Sequence, residues 1–360
     1  MHRFANFVLP GVLLFALGLG RGSGAVDYDF TTMLQPVPAT AKWMQPDYDV
    51  WCGTEVKGDD GKYNLYYSRW PRKLGFSAWV VSSEVAHAVG DTPFGPWVFH
   101  DVALPARGAN FWDGSCTHNP TVLRVGKKFY LYYMGNYGDG KVRQPLNWTH
   151  RNHQRIGVAV ADSPDGPWVR IDKPVLDVSA DHDAPDALLT ANPSVVQRPD
   201  GGFLMVYKAV GLKGKLPFGG PVVHLVATSD SPTGPFLKRP DPIFGMKGVG
   251  FAAEDPFVWR GPDRYWAIVK DNDGNFTHRG YSLALWNSVD GFTWTLATHR
   301  FVASPSTVTW ADGHVEKLTA LERPQLVLEN GEPIALLCAA ANNPGRGGSF
   351  NIQIPLKLAP

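Results

Sequence analysis

The sequence predicts an all-β protein, a five-bladed β-propeller with about four antiparallel strands in each blade. Three observations predict this fold. A strand–turn–strand unit recurs along the chain, a second strand pair joined by a Pro/Asp/Gly turn follows most copies, and neither βαβ order nor a long helical period is present. Repeats of this kind arrange their strands around a common axis, as the blades of a propeller do.

The first repeated element begins near a proline, continues as a β-rich run, turns at polar residues and returns as a second apolar strand. Four copies begin at His118 (HNPTVLRVGKKFYLYYMGN), Ala191 (ANPSVVQRPDGGFLMVYKAV), Glu254 (EDPFVWRGPDRYWAIVKD) and Glu322 (ERPQLVLENGEPIALLCAA). Their prolines are 73, 63 and 68 residues apart. One further step back reaches DVWCGTEVKGDDGKYNLYYSRW, which has the same form without the proline, so the repeats number five.

The second repeated element is an alternating apolar strand, a turn, and a strand that carries an aromatic residue. Its copies are SEVAHAVGDTPFGPWVF, RIGVAVADSPDGPWVRI, VHLVATSDSPTGPFLKR and LALWNSVDGFTWTLAT. The fifth repeat is incomplete, and we expect the ending SFNIQIPLKL and the segment after residue 25 to complete it. A pair of β-sandwiches is the rival interpretation, but it would not need a near-equal period.

The first 25 residues predict a secretory signal peptide. MHR is a short basic start, FANFVLPGVLLFALGLG is an apolar stretch, and GSGA supplies small residues for cleavage near Ala25. A membrane anchor is the competing interpretation, which Pro10 and the glycines of this stretch weaken. We therefore expect residues 26–360 to form a single propeller catalytic domain, secreted or periplasmic and free of the membrane after cleavage.

The composition limits the classes of partner and cofactor that we expect. The formal net charge is +1 and no basic run stands out, so nucleic acid is not an expected partner. The three cysteines, Cys52, Cys116 and Cys338, match no zinc motif, and we predict no bound metal or other cofactor. An odd number of cysteines cannot pair fully, although a Cys52–Cys116 disulfide is an option in an oxidising compartment. The oligomeric state stays open.

The repeats place chemically active side chains at equivalent positions. In a propeller the innermost strands line the central channel, so equivalent residues form a ring. The position two before the proline holds His118, Ala191, Glu254 and Glu322, and aligning the first repeat on its NLYY segment puts Asp49 there. The position before the proline holds Asn119, Asn192, Asp255 and Arg323, with Trp51 in the first repeat. So many polar groups in one funnel indicate a ligand site, because unpaired burial would be costly. A solvated channel mouth with structural ion pairs is the alternative.

Two carboxylates on opposite sides of a cleft suit glycoside cleavage. One must be protonated to help the leaving oxygen depart, and the other must be ionised to activate water or to attack carbon. Asp49 and Glu254 lie on repeats one and four, which leaves room between them for a sugar and a water. This separation predicts an inverting reaction.

At this point the chain resembles the five-bladed propeller glycoside hydrolases, chiefly family 43 and its relatives. The repeat pattern, the Asp-Gly-Pro-aromatic turns and AAEDPFVW carry the resemblance over nearly the whole mature chain. The resemblance implies Glu254 as general acid and, more loosely, Asp49 as general base. The third family position is Asn192 in ANPS, where the family has Asp. This departure indicates a divergent member acting on a different sugar.

The same interpretation assigns binding roles to further residues around the channel. The predicted substrate-binding set is Trp112, Asp113, His118, Asn119, Asn192, Asp255, Glu322 and Arg323. Asp113 is an alternative to Asp49 as base, and Asp255 an alternative to Glu254 as the working carboxylate. His118 is a candidate to hold an axial water or calcium ion, and Arg323 to grip a carboxylate or hydroxyls.

The expected function is therefore that of an exported glycoside hydrolase acting on a plant or algal polysaccharide or oligosaccharide. Three alternatives stay open: a non-catalytic carbohydrate-binding propeller, a lyase acting on uronic acids, and a protein-binding propeller. The basic loop from Met134 to Gly157, with His150, Arg151, His153 and Arg155, would suit an acidic or sulfated sugar if it walls the pocket.

Overall fold

A computed structural model describes residues 27–343 and 345–357, and the expected signal peptide lies outside these residues. The described chain forms five four-stranded antiparallel sheets. The innermost strands of successive sheets contact one another in turn, and the last contacts the first, which closes a ring. The predicted five-bladed β-propeller is confirmed.

Each of the first four blades is built from consecutive strands, numbered from the inside outward. Blade 1 comprises β2 (Tyr48–Lys57), β3 (Tyr63–Pro71), β4 (Glu84–Gly90) and β5 (Val98–Leu104). Blade 2 comprises β6 (Cys116–Val125), β7 (Lys128–Asn136), β8 (Arg155–Ala161) and β9 (Val169–Arg170). Blade 3 comprises β10 (Leu189–Gln197), β11 (Phe203–Val210), β12 (Val222–Ser229) and β13 (Leu237–Lys238). Blade 4 comprises β14 (Ala253–Arg260), β15 (Tyr265–Asp271), β16 (Ser282–Ser288) and β17 (Thr295–Ala303).

Blade 5 joins the two ends of the chain. Its strands β18 (Ala320–Glu329), β19 (Glu332–Ala341) and β20 (Phe350–Pro355) are completed by β1 (Lys42–Trp43) from the N-terminal segment. Lys42 pairs with Ile352, and Trp43 pairs with Asn351. The expected completion of the fifth repeat is confirmed, and the ring is thus held shut by backbone hydrogen bonds between the two terminal segments.

A β-bulge interrupts every inner strand at the same place. The register against the second strand shifts at this point in all five blades. One residue of each bulge adopts a positive φ of 51–55°, and these residues are Cys52, Asn119, Asn192, Asp255 and Arg323. Non-glycine residues rarely adopt this conformation, so its fivefold recurrence marks a structural position of the repeat.

The bulges correct the alignment of the first repeat. The residue equivalent to Asn119 and Asp255 is Cys52, and Gly53 stands where the other repeats have proline. The residue equivalent to Glu254 is therefore Trp51 and not Asp49, which lies two residues earlier on β2. The predicted alignment was wrong because the missing proline removed the marker that locates the bulge in the other repeats.

The helices are short and lie in the connections. They are α1 (Phe30–Met33), α2 (Trp79–Ser82) and α3 (Trp148–Asn152). No helix in the described ranges is long and apolar enough to span a bilayer. The Asn147 side chain caps α3 by accepting hydrogen bonds from the backbone of Thr149 and His150.

Apolar side chains between adjacent blades form the core. The largest group lies between blades 4 and 5 and the N-terminal segment, where Tyr28 packs on Trp259 and Trp266. Trp112 stacks on Tyr133 in blade 2 with 5.9 Å between ring centroids. Most of the tryptophan content thus serves the packing of blades rather than contact with a ligand.

The cysteines make no disulfide in the part of the chain that the structure describes. Cys52, Cys116 and Cys338 are all buried and unpaired, so the optional Cys52–Cys116 bridge is not present in these residues. Cys116 lies beside the backbone carbonyl of Trp79 at 3.3 Å, and Cys52 beside Asn119 at 2.8 Å.

The state of these thiols is directly measurable. Because burial raises the pKa of all three thiols, we expect none of them to react with a thiol reagent in the native protein at neutral pH. All three should react once denaturant is added without a reducing agent. A single reactive thiol under denaturing, non-reducing conditions would reveal the disulfide instead.

Candidate functional site

A cavity of about 180 Å³ opens on the propeller axis where the inner strands begin. It is smaller than the roughly 300–1,000 Å³ of typical small-molecule sites, so it would enclose only a small group. Its walls are polar on one side and aromatic on the other. The lining residues are Trp51, Trp70, Phe76, Trp79, His118, Asn119, Gln154, Asn192, Lys208, Glu254, Asp255, Lys270, Glu322, Arg323 and Arg346.

Four bulge residues, Asn119, Asn192, Asp255 and Arg323, form the floor of this cavity, and hydrogen bonds join them to one another and to Cys52. The Cys52 thiol donates to Asn119 Oδ1 at 2.8 Å, and Asn119 Nδ2 donates to Asn192 Oδ1. Asn192 Nδ2 donates to Asp255 Oδ1 at 2.7 Å, and Arg323 Nη1 reaches the same oxygen at 3.3 Å. The bulge thus does more than bend each strand, because it turns five side chains toward the axis.

Arg323 has hydrogen-bonding capacity to spare. Its side chain is only 3% exposed, and among the described residues its ion pairing is limited to the long contact with Asp255. Its Nε and Nη2 atoms are buried without a hydrogen-bond partner in the same part of the chain. Two free N–H groups of one guanidinium match the two oxygens of a carboxylate.

Glu254 is held between two lysines that come from second strands. Lys270 Nζ donates to Glu254 Oε2 at 2.8 Å, and Lys208 Nζ donates to Glu254 Oε1. Burial favours the neutral carboxyl and is the largest single influence, but the two ammonium groups together outweigh it. They hold the pKa of Glu254 well below its usual range, so this carboxylate is ionised at neutral pH.

The pKa of Asp255 is shifted in the opposite direction. Burial and the neighbouring Glu254 charge raise the pKa of Asp255, and this outweighs the opposing effect of Arg323 and Lys270. Adjacent residues on β14 therefore present two carboxyl groups whose pKa values are pushed apart. Such a pair can divide the acid and base roles of a reaction.

Lys270 is the centre of the charged wall. It is 7% exposed and lies 2.8 Å from Glu254 and 3.5 Å from Glu322 Oε1. Its two carboxylate neighbours raise the pKa of Lys270 despite the opposing effect of burial, so it stays charged. Arg346 contacts both oxygens of Glu322, with Nη2 at 3.2 Å from Oε1 and Nη1 at 3.4 Å from Oε2. The wall therefore depends on alternating charges for its stability.

An aromatic wall faces the charged one. Trp51 and Trp70 from blade 1 each pack edge-on against Phe76, which lies in the connection before α2. The Arg346 guanidinium covers Trp51 and Phe76 at 5.4 and 5.1 Å from the ring centroids. Flat aromatic surfaces beside polar groups suit a sugar ring, which has an apolar face and a polar rim.

His118 lies between these walls as a neutral imidazole. Its Nδ1 is 2.8 Å from Ser83 Oγ, and its Nε2 is 3.7 Å from Cys52 Sγ. Burial, assisted by the Arg323 charge, lowers the pKa of His118 well below its usual value. The axial water or calcium ion expected near this residue stays a prediction.

The structure brings most of the predicted site residues together. Those that line the cavity are His118, Asn119, Asn192, Glu254, Asp255, Glu322 and Arg323. Asp49 is not among them. Its Oδ1 accepts a hydrogen bond from Ser349 Oγ at 3.2 Å and lies 3.7 Å from Arg72 Nε. Asp49 was assigned as the base because it was predicted to lie in the ring around the channel, and the structure does not place it there.

Asp113 and Trp112 also lie outside the cavity. Asp113 is fully buried in blade 2, where it accepts hydrogen bonds from Arg107 at 2.7 Å and from Tyr133 at 2.7 Å. Trp112 packs on Tyr133 in the same place. The expectation that this segment reaches the channel was wrong, because the bonds of Asp113 tie it into the blade.

The predicted basic loop uses its charges within the protein. His150 contacts Asn136 Oδ1 at 2.9 Å, Arg151 donates to the Phe218 carbonyl at 2.6 Å, and Arg155 pairs with Asp177 at 2.6 Å. The side chain of this loop that reaches the cavity is Gln154, and the basic residues from His150 to Arg155 lie outside the cavity lining.

Three basic residues of the cavity, Lys208, Lys270 and Arg346, were not in the predicted substrate-binding set. Lys208 lies opposite Ala191 on β11, and Lys270 lies opposite Glu254 on β15. They occupy the same position in repeats three and four, so a lysine at equivalent places on two second strands was the available signal. Arg346 lies in the loop after β19 and carries no such signal.

Known structures share this fold. One is a family 117 glycoside hydrolase, Zg3597, of the marine bacterium Zobellia galactanivorans, with 19% identity, a TM-score of 0.63, and coverage of 90% of this chain and 89% of that one. A structure of BT0996 in complex with RGII has 15% identity, a TM-score of 0.69, and coverage of 92% and 94%. A GH43_1 enzyme of Xanthomonas citri, complexed with xylose, has 16% identity, a TM-score of 0.56, and coverage of 88% and 90%.

No protein-family model and no curated protein sequence matches the chain. The chain therefore has the five-bladed fold of glycoside hydrolases over nearly its whole length, with low sequence identity to them. Similarity of this degree defines the architecture, and the chemistry has to be argued from the cavity itself.

Proposed function

We propose that the protein is a glycoside hydrolase that acts in the axial cavity on the end of a glycan. The observation that carries this proposal is the pair Glu254 and Asp255, whose carboxyl groups both line the cavity with pKa values shifted in opposite directions. A glycosidase needs such a pair, one carboxyl group protonated and one ionised.

The shifts favour the reverse of the roles that the resemblance implies. Asp255 supplies the proton, because its pKa is raised and because Asn192 and Arg323 hold only its Oδ1 atom. Glu254 is the base, because Lys208 and Lys270 keep it ionised. Water loses a proton to Glu254 and attacks the anomeric carbon, while the leaving oxygen takes the proton of Asp255. A single displacement of this kind inverts the anomeric configuration, and it requires the Glu254 and Asp255 carboxyl groups to reach opposite faces of the sugar ring.

The substrate we propose is a sugar that carries a carboxylate. The cavity contains four cationic side chains, Lys208, Lys270, Arg323 and Arg346, against three carboxylates, Glu254, Asp255 and Glu322. Arg323 in addition has two unused N–H groups, which a bidentate carboxylate would satisfy. A terminal uronic acid of a plant or algal oligosaccharide, met by the protein after export, has this chemistry.

Binding of uronic acids tests this substrate class. We expect the protein to bind an oligosaccharide capped by a uronic acid at least about 10-fold more tightly than its neutral counterpart, because a charged hydrogen bond contributes about 1.5–3 kcal/mol. Arg323→Lys should remove most of this preference, since an ammonium lacks the planar pair of donors. Titration calorimetry measures both, with Arg143→Lys as control because Arg143 pairs with Asp139 within its own loop. Equal affinity for acidic and neutral caps would contradict the proposal.

A second candidate function has a specific observation in its favour. The bulge positions of blades 1 and 3 hold Cys52 and Asn192, which cannot supply a carboxylate. A cavity with this floor would also serve as a non-catalytic carbohydrate-binding site. Binding without any release of sugar by the wild-type protein would select this function.

A third candidate function, that of a uronic acid lyase, would give a different product. The anionic sugar and the free N–H groups of Arg323 would suit lyase chemistry as well, but elimination leaves an unsaturated sugar that absorbs in the ultraviolet. Following absorbance during the reaction therefore separates lyase from hydrolase in one experiment. Release of sugar without a rise in absorbance supports hydrolysis.

A further inference from the structure

A second group of chemically active side chains lies on the outer part of blade 1, away from the axial cavity. It consists of His87 on β4 and of His100 and Asp101 on β5. One ligand atom from each residue can be chosen so that all three lie within 4.8 Å of one another. Two imidazoles and a carboxylate at such separations form a donor set that proteins use for transition metals.

His87 has the orientation of a metal ligand. Its ring is fully buried and stacks on Tyr66 with 4.9 Å between ring centroids. Its Nε2 lies 2.9 Å from Asn64 Oδ1, an acceptor, so this nitrogen carries the proton. Nδ1 is left with a free lone pair that points away from Asn64. An oxygen acceptor that fixes the tautomer is the usual outer partner of a metal-bound histidine.

The free lone pair of His87 faces another acceptor. His87 Nδ1 is 3.4 Å from Asp101 Oδ1, and both atoms are buried without a hydrogen-bond partner within the described part of the chain. Two unsatisfied acceptors this close need a cation between them.

We propose that His87, His100 and Asp101 bind a divalent transition-metal ion of the zinc class. His100 Nδ1 lies 3.7 Å from Asp101 Oδ1, which places the second imidazole beside the same carboxylate oxygen. The nitrogen donors favour zinc, copper or nickel over calcium or magnesium, which prefer oxygen. Water completes the coordination from an adjacent surface cavity that His100 lines.

The ion would join neighbouring parts of the propeller. β4 and β5 are the outer strands of blade 1, and their pairing shifts register between His87 and Ala88. Asp165, in the turn after β8 of blade 2, lies 3.9 Å from His100 Nε2. A metal bound to the two histidines would therefore stabilise the irregular edge of blade 1 and its contact with blade 2. This site is structural and independent of the proposed hydrolysis.

Metal titration of the chain without a polyhistidine tag tests the proposal. After treatment with a chelator, we expect one zinc ion to bind per chain, with an affinity that falls at least about 10-fold in Asp101→Asn or in His100→Ala. Both residues are half-exposed, so these variants should fold even if a change at buried His87 does not. Asp312→Asn is the matched control. Asp312 is an exposed carboxylate 2.6 Å from His314 Nδ1, and within the described residues this pair belongs to no group of three candidate metal ligands.

The unfolding temperature supplies the second measurement. Zinc at about 100-fold excess over its dissociation constant should raise the unfolding temperature of the wild type by a few degrees, and calcium should not. The rise should disappear in Asp101→Asn and persist in Asp312→Asn. Zinc binding that is unchanged in both Asp101→Asn and His100→Ala, or no zinc binding at all, would overturn the proposal.

Discussion

Replacing Glu254 with glutamine should lower the kcat of glycan hydrolysis by about 10²–10⁴-fold while leaving glycan binding intact. Glutamine keeps the size of the side chain and can still contact Lys208 and Lys270, but it cannot accept a proton from water. The loss should appear in kcat rather than in KM, because the charge is needed in the transition state. Initial rates of sugar release together with calorimetric binding give both quantities.

A matched change elsewhere separates chemistry from structure. Glu316 also pairs with a lysine, at 2.7 Å from Lys42 Nζ, but lies away from the cavity. Glu316→Gln should leave kcat within about twofold, since a partly exposed ion pair contributes little. If Glu254→Gln hydrolysed glycans as fast as Glu316→Gln does, Glu254 would have no part in the reaction.

Replacing Lys270 with methionine should destabilise the protein by about 3–5 kcal/mol. The substitution preserves much of the apolar stem but removes the ammonium group that lies between Glu254 and Glu322. Two buried carboxylates then face each other without their shared cation, which is the costly way to break a buried ion pair. Chemical denaturation measures the loss. Lys57→Met, which breaks an exposed pair with Glu329, should leave the midpoint almost unchanged.

The same variant decides which role Glu254 has. Without Lys270 the pKa of Glu254 must rise, because one of the two charges that lower it is gone. If Glu254 is the base, the acidic limb of the pH–rate profile moves to higher pH in Lys270→Met. If Glu254 is the acid, the basic limb moves to higher pH instead. A profile that keeps both limbs in place would contradict either role.

The wild-type ion pair also affects stability against acid. Since the pKa of Glu254 is lower in the folded protein than in the unfolded chain, its contribution is fully present above about pH 4.5 and is lost as the pH falls further. In Lys270→Met this contribution shrinks, so the variant should lose less stability between pH 7 and pH 4 than the wild type does. Denaturation midpoints at pH 4 and pH 7 measure the difference.

The fold was predictable from the sequence because each of four repeats contains a proline at the same position, which aligns the repeats with one another. The prolines at 120, 193, 256 and 324 mark the residue after each bulge, so the amino-acid pattern alone was enough to predict the ring of His118, Glu254 and their equivalents. The first repeat lacks the proline, and the bulge at Cys52 could not be located from strand pattern alone. The two-residue error that placed Asp49 in the ring follows from that single difference.

The rest of the site depends on contacts that the repeats do not encode. Asp113 precedes an inner strand and its position suggests access to the channel, yet Arg107 from the same loop and Arg170 from β9 bind it inside blade 2. Lys208 and Lys270 lie on second strands, which the ring argument did not consider. The pKa shifts of Glu254 and Asp255 arise from burial, from those lysines and from Arg323, so the division of acid and base roles was not predictable from the repeat pattern.

The most direct test of the account is to incubate the wild-type protein with oligosaccharides capped by a uronic acid and with their neutral counterparts, and to read the released sugars by chromatography. We expect release of the terminal uronic acid and little or no release of sugar from the neutral series. Binding of the acidic series without release would make the cavity around Glu254 and Arg323 a carbohydrate-binding site, and hydrolysis of the neutral series alone would contradict the carboxylate-specific cavity.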